Sequence, residues 1–147
     1  MTTSARRGSR LRTYRRVAPF RQTSSGKESQ PRCPSNALGA VSGKAGKTVY
    51  LNFITQVSPA CDCYGHADAP IVNDIGLCAS SDPVAIDQAC ADLVNGARGN
   101  EGSALRSGHE PGGDKFRGCW PEIPWEVQLE HGERVGLGSR RYELVRI

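Results

Sequence analysis

Apolar positions along this 147-residue chain concentrate in a few short segments separated by polar, glycine-rich stretches. Lys47–Val57 (KTVYLNFITQV) is dense in β-branched and aromatic residues and predicts a strand. Val49, Leu51 and Phe53 alternate onto one face; Tyr50 and Ile54, with Asn52, occupy the other. A strand apolar on both faces is expected in the middle of a covered sheet. Ser58-Pro59 ends it, and Ile71–Ala79 predicts a second short strand with a break near Asn73-Asp74. Ser80–Asn95 predicts a helix: Ser81 or Asp82 supplies the capping oxygen, and Pro83 suits the first turn. Ile86, Cys90, Leu93, Val94 and Ala97 form its apolar stripe. A second helix is expected over Trp125–Val135, stopped by Gly136, and a closing strand over Tyr142–Ile147. Arg98–Gly118 has little pattern and is expected to be a long, mobile or functional loop.

These elements predict an α/β fold: a small mixed sheet covered by two helices, with a disordered N-terminal tail over residues 1–46 and the folded part over 47–147. Scattered single apolars among Arg, Ser, Thr and Gly give residues 1–46 too little apolar surface to offset chain entropy. Charge divides the same way. Residues 1–32 hold nine Lys/Arg and one acid, whereas residues 33–147 hold ten Lys/Arg and fourteen acids. The basic character therefore belongs to the tail, and a nucleic-acid-binding domain is disfavoured. The tail composition fits a transit segment, an anion-binding arm or an unrelated start fused to a truncated gene. No apolar run reaches the ~20 residues that span a bilayer, and no secretory signal follows the early arginines. A cytoplasmic, reduced chain is the expectation, with no membrane association and a redox protein as the candidate partner.

Six cysteines are present. Isolated Cys78 and Cys90 are expected as small buried apolar residues. The loop Ala60–Pro70 (ACDCYGHADAP) is different, because Cys61, Asp62, Cys63, His66 and Asp68, with Asp74 beyond it, collect thiol, imidazole and carboxylate groups. These are the ligand types of zinc and related metals, and a Cys-x-Cys pair in a loop can turn both sulfurs to one ion. The same residues also make a tight turn, with Pro59, Asp62 and Gly65 shaping it and side chains capping backbone groups. Ser81, Asp82 and Asp87 mark a helix N-terminus expected beside this loop, either as caps or as an anion seat. No nucleotide-binding, serine-esterase or zinc-protease motif is present.

The run YLNFITQVSPACDCYGHADAPIVNDIGLCASSDPVAIDQACADLVN resembles the C-terminal region of the family called domain of unknown function 362, and GLGSRRYELVRI resembles its close. The resemblance covers Lys47–Ile147. Members of that family usually carry a Cys-x-x-Cys-x-x-Cys-x-x-x-Cys-Pro insert that binds four-iron, four-sulfur (4Fe-4S) clusters, so the resemblance implies an iron–sulfur, electron-transfer setting. Here Cys33-Pro34 matches the end of that insert, but Ser29, Gly26 and Thr23 stand at the preceding ligand positions. The expectation is an uncharacterised redox-associated fragment with a Cys-Asp-Cys metal or active-site loop. The alternative is a non-enzymatic remnant or interaction domain in which that loop is structural.

Overall fold

The computed structural model describes residues 10–15, 32–60 and 68–147. Their elements, in order, are β1 (Arg10–Arg15), α1 (Arg32–Val41), β2 (Tyr50–Ile54), β3 (Gly76–Ser80), α2 (Pro83–Gly96), α3 (Lys115–Cys119), α4 (Glu126–Arg134) and β4 (Glu143–Leu144). The strands form one mixed sheet in the order β2-β3-β1-β4. β3 is antiparallel to both β2 and β1, and β4 is parallel to β1. The α/β class and the small mixed sheet are as the sequence predicts.

β2 forms where the β-branched and aromatic residues are densest, yet it lies at an edge of the sheet and not in its middle. Tyr50, Asn52 and Ile54 turn toward α2, and Ile54 is fully buried. Val49, Leu51 and Phe53 are 70%, 56% and 40% exposed. Residue types record that both faces tolerate burial; they do not record whether a second layer covers the outer face.

α2 is the central helix. Asp82 caps it, accepting from the Val84 and Ala85 amides at 2.9 and 3.0 Å, and Pro83 occupies the first turn, where no N–H is needed. Ile86, Ala89, Cys90 and Val94 join Ile54, Ile71, Val72, Cys78, Leu105 and Cys119 in the core. α4 packs on α2, and α1 packs on α4. Gly136, at φ 76°, ends α4 region as its position predicts.

α1 and β1 lie within the span predicted to be an unstructured tail. For α1 the signal was present in the sequence: Pro34, Ala37, Leu38 and Val41 stand at i, i+3, i+4 and i+7. The intervening Ser, Asn and Gly make it a weak helix former, and α1 rests on tertiary contacts. Pro34 is buried against Gly132 of α4, and Ser35 Oγ lies 3.1 Å from His131 Nε2.

The 98–118 segment, expected as a long mobile or functional loop, is packed into the fold. Gly99 pairs with Val72 across an isolated bridge and donates to His109 O at 2.6 Å. Leu105 enters the core. Lys115 is wholly buried, and its ammonium donates to the carbonyls of Asn95, Glu110 and Gly113 at 2.7, 2.7 and 3.1 Å. Three acceptors match the three donors of an ammonium group. Burial pushes its pKa down, and the nearby Glu110 and Asp114 carboxylates oppose that shift.

Candidate functional site

Cys61, Asp62, Cys63 and His66 lie outside the described residues, so the site is read from the residues that frame them. The frame is well fastened. Ile71 N donates to Val57 O at 2.8 Å, closing the base of the 58–70 loop just beyond β2. Trp120 Nε1 donates to Pro59 O at 2.6 Å, and Asn100 Nδ2 donates to Pro70 O at 3.0 Å. Ser58 Oγ donates to Ala60 O at 2.7 Å on the entering strand of the loop. Sequence pattern did not single out Trp120 or Asn100 for this position. The Trp120 partner is a carbonyl 61 residues away, which no local pattern could indicate.

The other candidates separate from one another. Asp68 is exposed at the end of the loop. Asp74 accepts from Gln56 N at 2.9 Å, bracing a turn in which Gln56 has φ 49°. Ser81 and Asp82 stand at the far end of the sheet from the loop. The β2–β3 register explains this: Ser80 pairs with Tyr50, and Gly76 with Ile54. α2 therefore begins beside the first residue of β2, whereas the loop leaves beyond its last, about 14 Å away at ~3.4 Å per residue. The part of α2 nearer the loop is its C-terminal end, where Asn100 N donates to Ile71 O. The Asp82 carboxylate also fills the helix N-terminus itself, and its second oxygen accepts from Ser139 N at 2.9 Å. A Cβ at Gly138 would collide with that carboxylate. Asp82 is a structural clasp between α2 and the C-terminal segment, and no anion seat remains there.

Asp87 stands at the rim of the contact between α2 and the sheet. Its Oδ1 accepts from Asn52 Nδ2 at 2.7 Å, and the same amide lies 3.6 Å from Cys90 Sγ. Asp87 keeps surface accessible to water, but dense packing around its carboxyl pushes its pKa up, with the Asn52 hydrogen bond opposing. Cys78 pairs across the strands with Asn52 and is hydrogen-bonded to Cys90. That bond, reinforced by burial, pushes the Cys90 thiol far up. Burial likewise raises Cys119, to about 11. The Cys78–Cys90 bond pulls the Cys78 thiol down, with burial opposing. Both side chains are buried in the core, as expected for Cys78 and Cys90.

A second polar group runs between α2 and the chain end. Asp92 accepts from Gln88 Nε2 at 2.9 Å and from Tyr142 Oη at 2.7 Å, and Arg140 Nε donates to Gln88 Oε1 at 2.8 Å. Burial and the Asp92 bond push the Tyr142 phenol up. A shallow 510 Å³ hollow is lined by these groups. They satisfy each other, and the arrangement straps residues 138–142 to α2.

Among the described residues no three His, Cys, Asp or Glu side chains gather as a metal site. Among the described residues the cysteine side chains of Cys78, Cys90 and Cys119 are free, buried thiols. No helix among the described residues is long and apolar enough to cross a membrane.

Residues 26–92 match the family model described as Domain of unknown function (DUF362). This segment is therefore similar to that family. It spans α1, β2, the cysteine loop, β3 and most of α2, so it reaches further toward the N-terminus than the Lys47–Ile147 resemblance and does not extend to the chain end. No curated protein and no solved structure matches the chain.

Proposed function

We propose that this chain is part of a redox- or metal-associated DUF362 protein whose 61–67 loop is the reactive centre. In this reading Cys61 and Cys63 supply thiolates, His66 an imidazole, and Asp62 or Asp68 a carboxylate. The observation that supports it is the fastening of the loop at both ends, by Val57–Ile71, Trp120–Pro59 and Asn100–Pro70. Fixing the ends of a short loop reduces the chain entropy lost when its side chains converge on an ion. The donor set suits a single zinc or iron ion. The thiols of Cys78, Cys90 and Cys119 are buried and lie outside this donor set. The test is metal analysis of protein purified without chelators. Stoichiometric zinc or iron, lost in both Cys61→Ser and Cys63→Ser, is expected. Metal-free protein, or metal content indifferent to both substitutions, overturns it.

The competing reading makes the loop structural and the chain a non-enzymatic interaction domain. It is favoured by Asp74 and Asp82, two candidate residues already bound to backbone amides. Under that reading Cys61→Ser and Cys63→Ser lower stability and leave metal content unchanged.

A further inference from the structure

We propose that the cavity where α1, β2, α2 and the turn after α4 converge binds a small molecule joining a compact apolar body to one anionic group, a phosphate or a carboxylate. The cavity measures 320 Å³, at the lower end of the roughly 300–1,000 Å³ typical of small-molecule sites. Leu38 and Val41 of α1, Pro83 of α2 and Leu137 give it apolar walls. Four separate elements meet here without filling the space between them.

Its polar side is one-signed. Among the described lining residues Lys44 is the single charged one, and no carboxylate accompanies it. The Lys44 ammonium donates to Ala40 O in the last turn of α1, which holds it at the rim and leaves two of its three N–H donors for a ligand. Gly43 and Gly46, at φ 73° and 71°, sit in consecutive turns closed by Lys44 N to Val41 O and Lys47 N to Lys44 O. Open space adjoins both glycines, so an oxygen can approach the backbone there without meeting a side chain. Thr48 and Ser81 add hydroxyls to the same wall. Because Asp82 occupies the α2 N-terminus, the charge that selects an anion comes from Lys44. The cavity shares the Tyr50–Ser80 end of the sheet, opposite the Ile54–Gly76 end beyond which residues 58–60 leave β2.

The test is amide NMR titration of the full chain with phenyl phosphate, benzoate, benzyl alcohol and inorganic phosphate. Saturable shifts at Gly43, Gly46 and Ser81 are expected with phenyl phosphate or benzoate, and the tighter of the two identifies the anionic group. Lys44→Met should weaken binding roughly tenfold, as loss of a charge-assisted hydrogen bond does. Lys47→Met, which alters a lysine outside the lining, should leave it unchanged, as should Cys61→Ser. Absence of saturable binding by both aromatic anions overturns the proposal. So does equal binding of benzyl alcohol, equal binding of inorganic phosphate, or equal weakening by the two lysine substitutions.

Discussion

The segment from Asn95 to Cys119 holds a lysine amine wholly out of solvent, whereas β2 leaves Leu51 and Phe53 about half in water. Residue type alone assigns both regions the wrong way round. The lysine is inside because three backbone carbonyls, themselves turned inward by a tight glycine-rich path, meet its three donors. An unpaired polar group buried there would cost far more than the apolar contacts return. Leu51 and Phe53 are outside because α2 covers only the other face of the strand. Burial follows partners and coverage, and hydrophobicity is only one contributor.

That contrast can be broken most strongly at Lys115. Lys115→Met keeps the volume and removes the donors, leaving three inward carbonyls short of a partner. A loss of ~3 kcal/mol in urea unfolding is expected, and a loss below about 1 kcal/mol would mean that water replaces the ammonium. Ile54→Ala and Leu51→Ala form a matched pair on opposite faces of β2. The first should cost ~2–4 kcal/mol by opening a core cavity, and the second within about 0.5 kcal/mol, as for a surface position. Equal costs would show that the outer face is covered in solution. Gly118→Ala probes the tight path directly, since its Cβ would meet the Ser107 carbonyl oxygen and lie 2.7 Å from Leu105 Cδ1. Overpacking of ~1–3 kcal/mol is expected, with thermal unfolding as the readout.

The smallest expected effect is electrostatic. Glu133 accepts from Arg140 N and Ser139 Oγ at 3.1 and 3.2 Å, and the Arg140 backbone bond holds its carboxyl below the usual 4.5. A carboxyl depressed on folding adds stability that is complete above its unfolded pKa and is lost as pH falls through the folded one. Glu133→Gln should therefore flatten the decline in stability below pH ~4.5 and change little at neutral pH. An unchanged acid limb would show that the clasp contributes nothing there.

The two principal helices and the first strand were legible because each carries its own local signal. The Asp82-Pro83 start, the stripe through Ile86, Cys90 and Val94, and the Gly136 stop all act within a few residues. α1 was legible in spacing but masked by weak propensity. The packing of 98–118 was not legible, because its contacts join residues such as Gly118 and Ser107, or Lys115 and Asn95, through backbone groups common to every sequence. Among the candidate site residues, chemistry was readable and proximity was not. Asp74 looks like a ligand in one dimension and accepts from a backbone amide in three, whereas Asp82 is the helix cap that its sequence setting predicts.

The sequence by itself determined element type, caps, the buried thiols and the chemical character of the 61–68 loop, since these depend on side-chain shape and near neighbours. Only the tertiary structure decided that β2 is an edge strand, that α2 begins at the opposite end of β2 from the one at which residues 58–60 leave it, and that Lys115 belongs inside. Each of these depends on which distant backbone groups meet. Strand register and hydrogen-bond partnership are set by the whole fold, and no local pattern of residues encodes them.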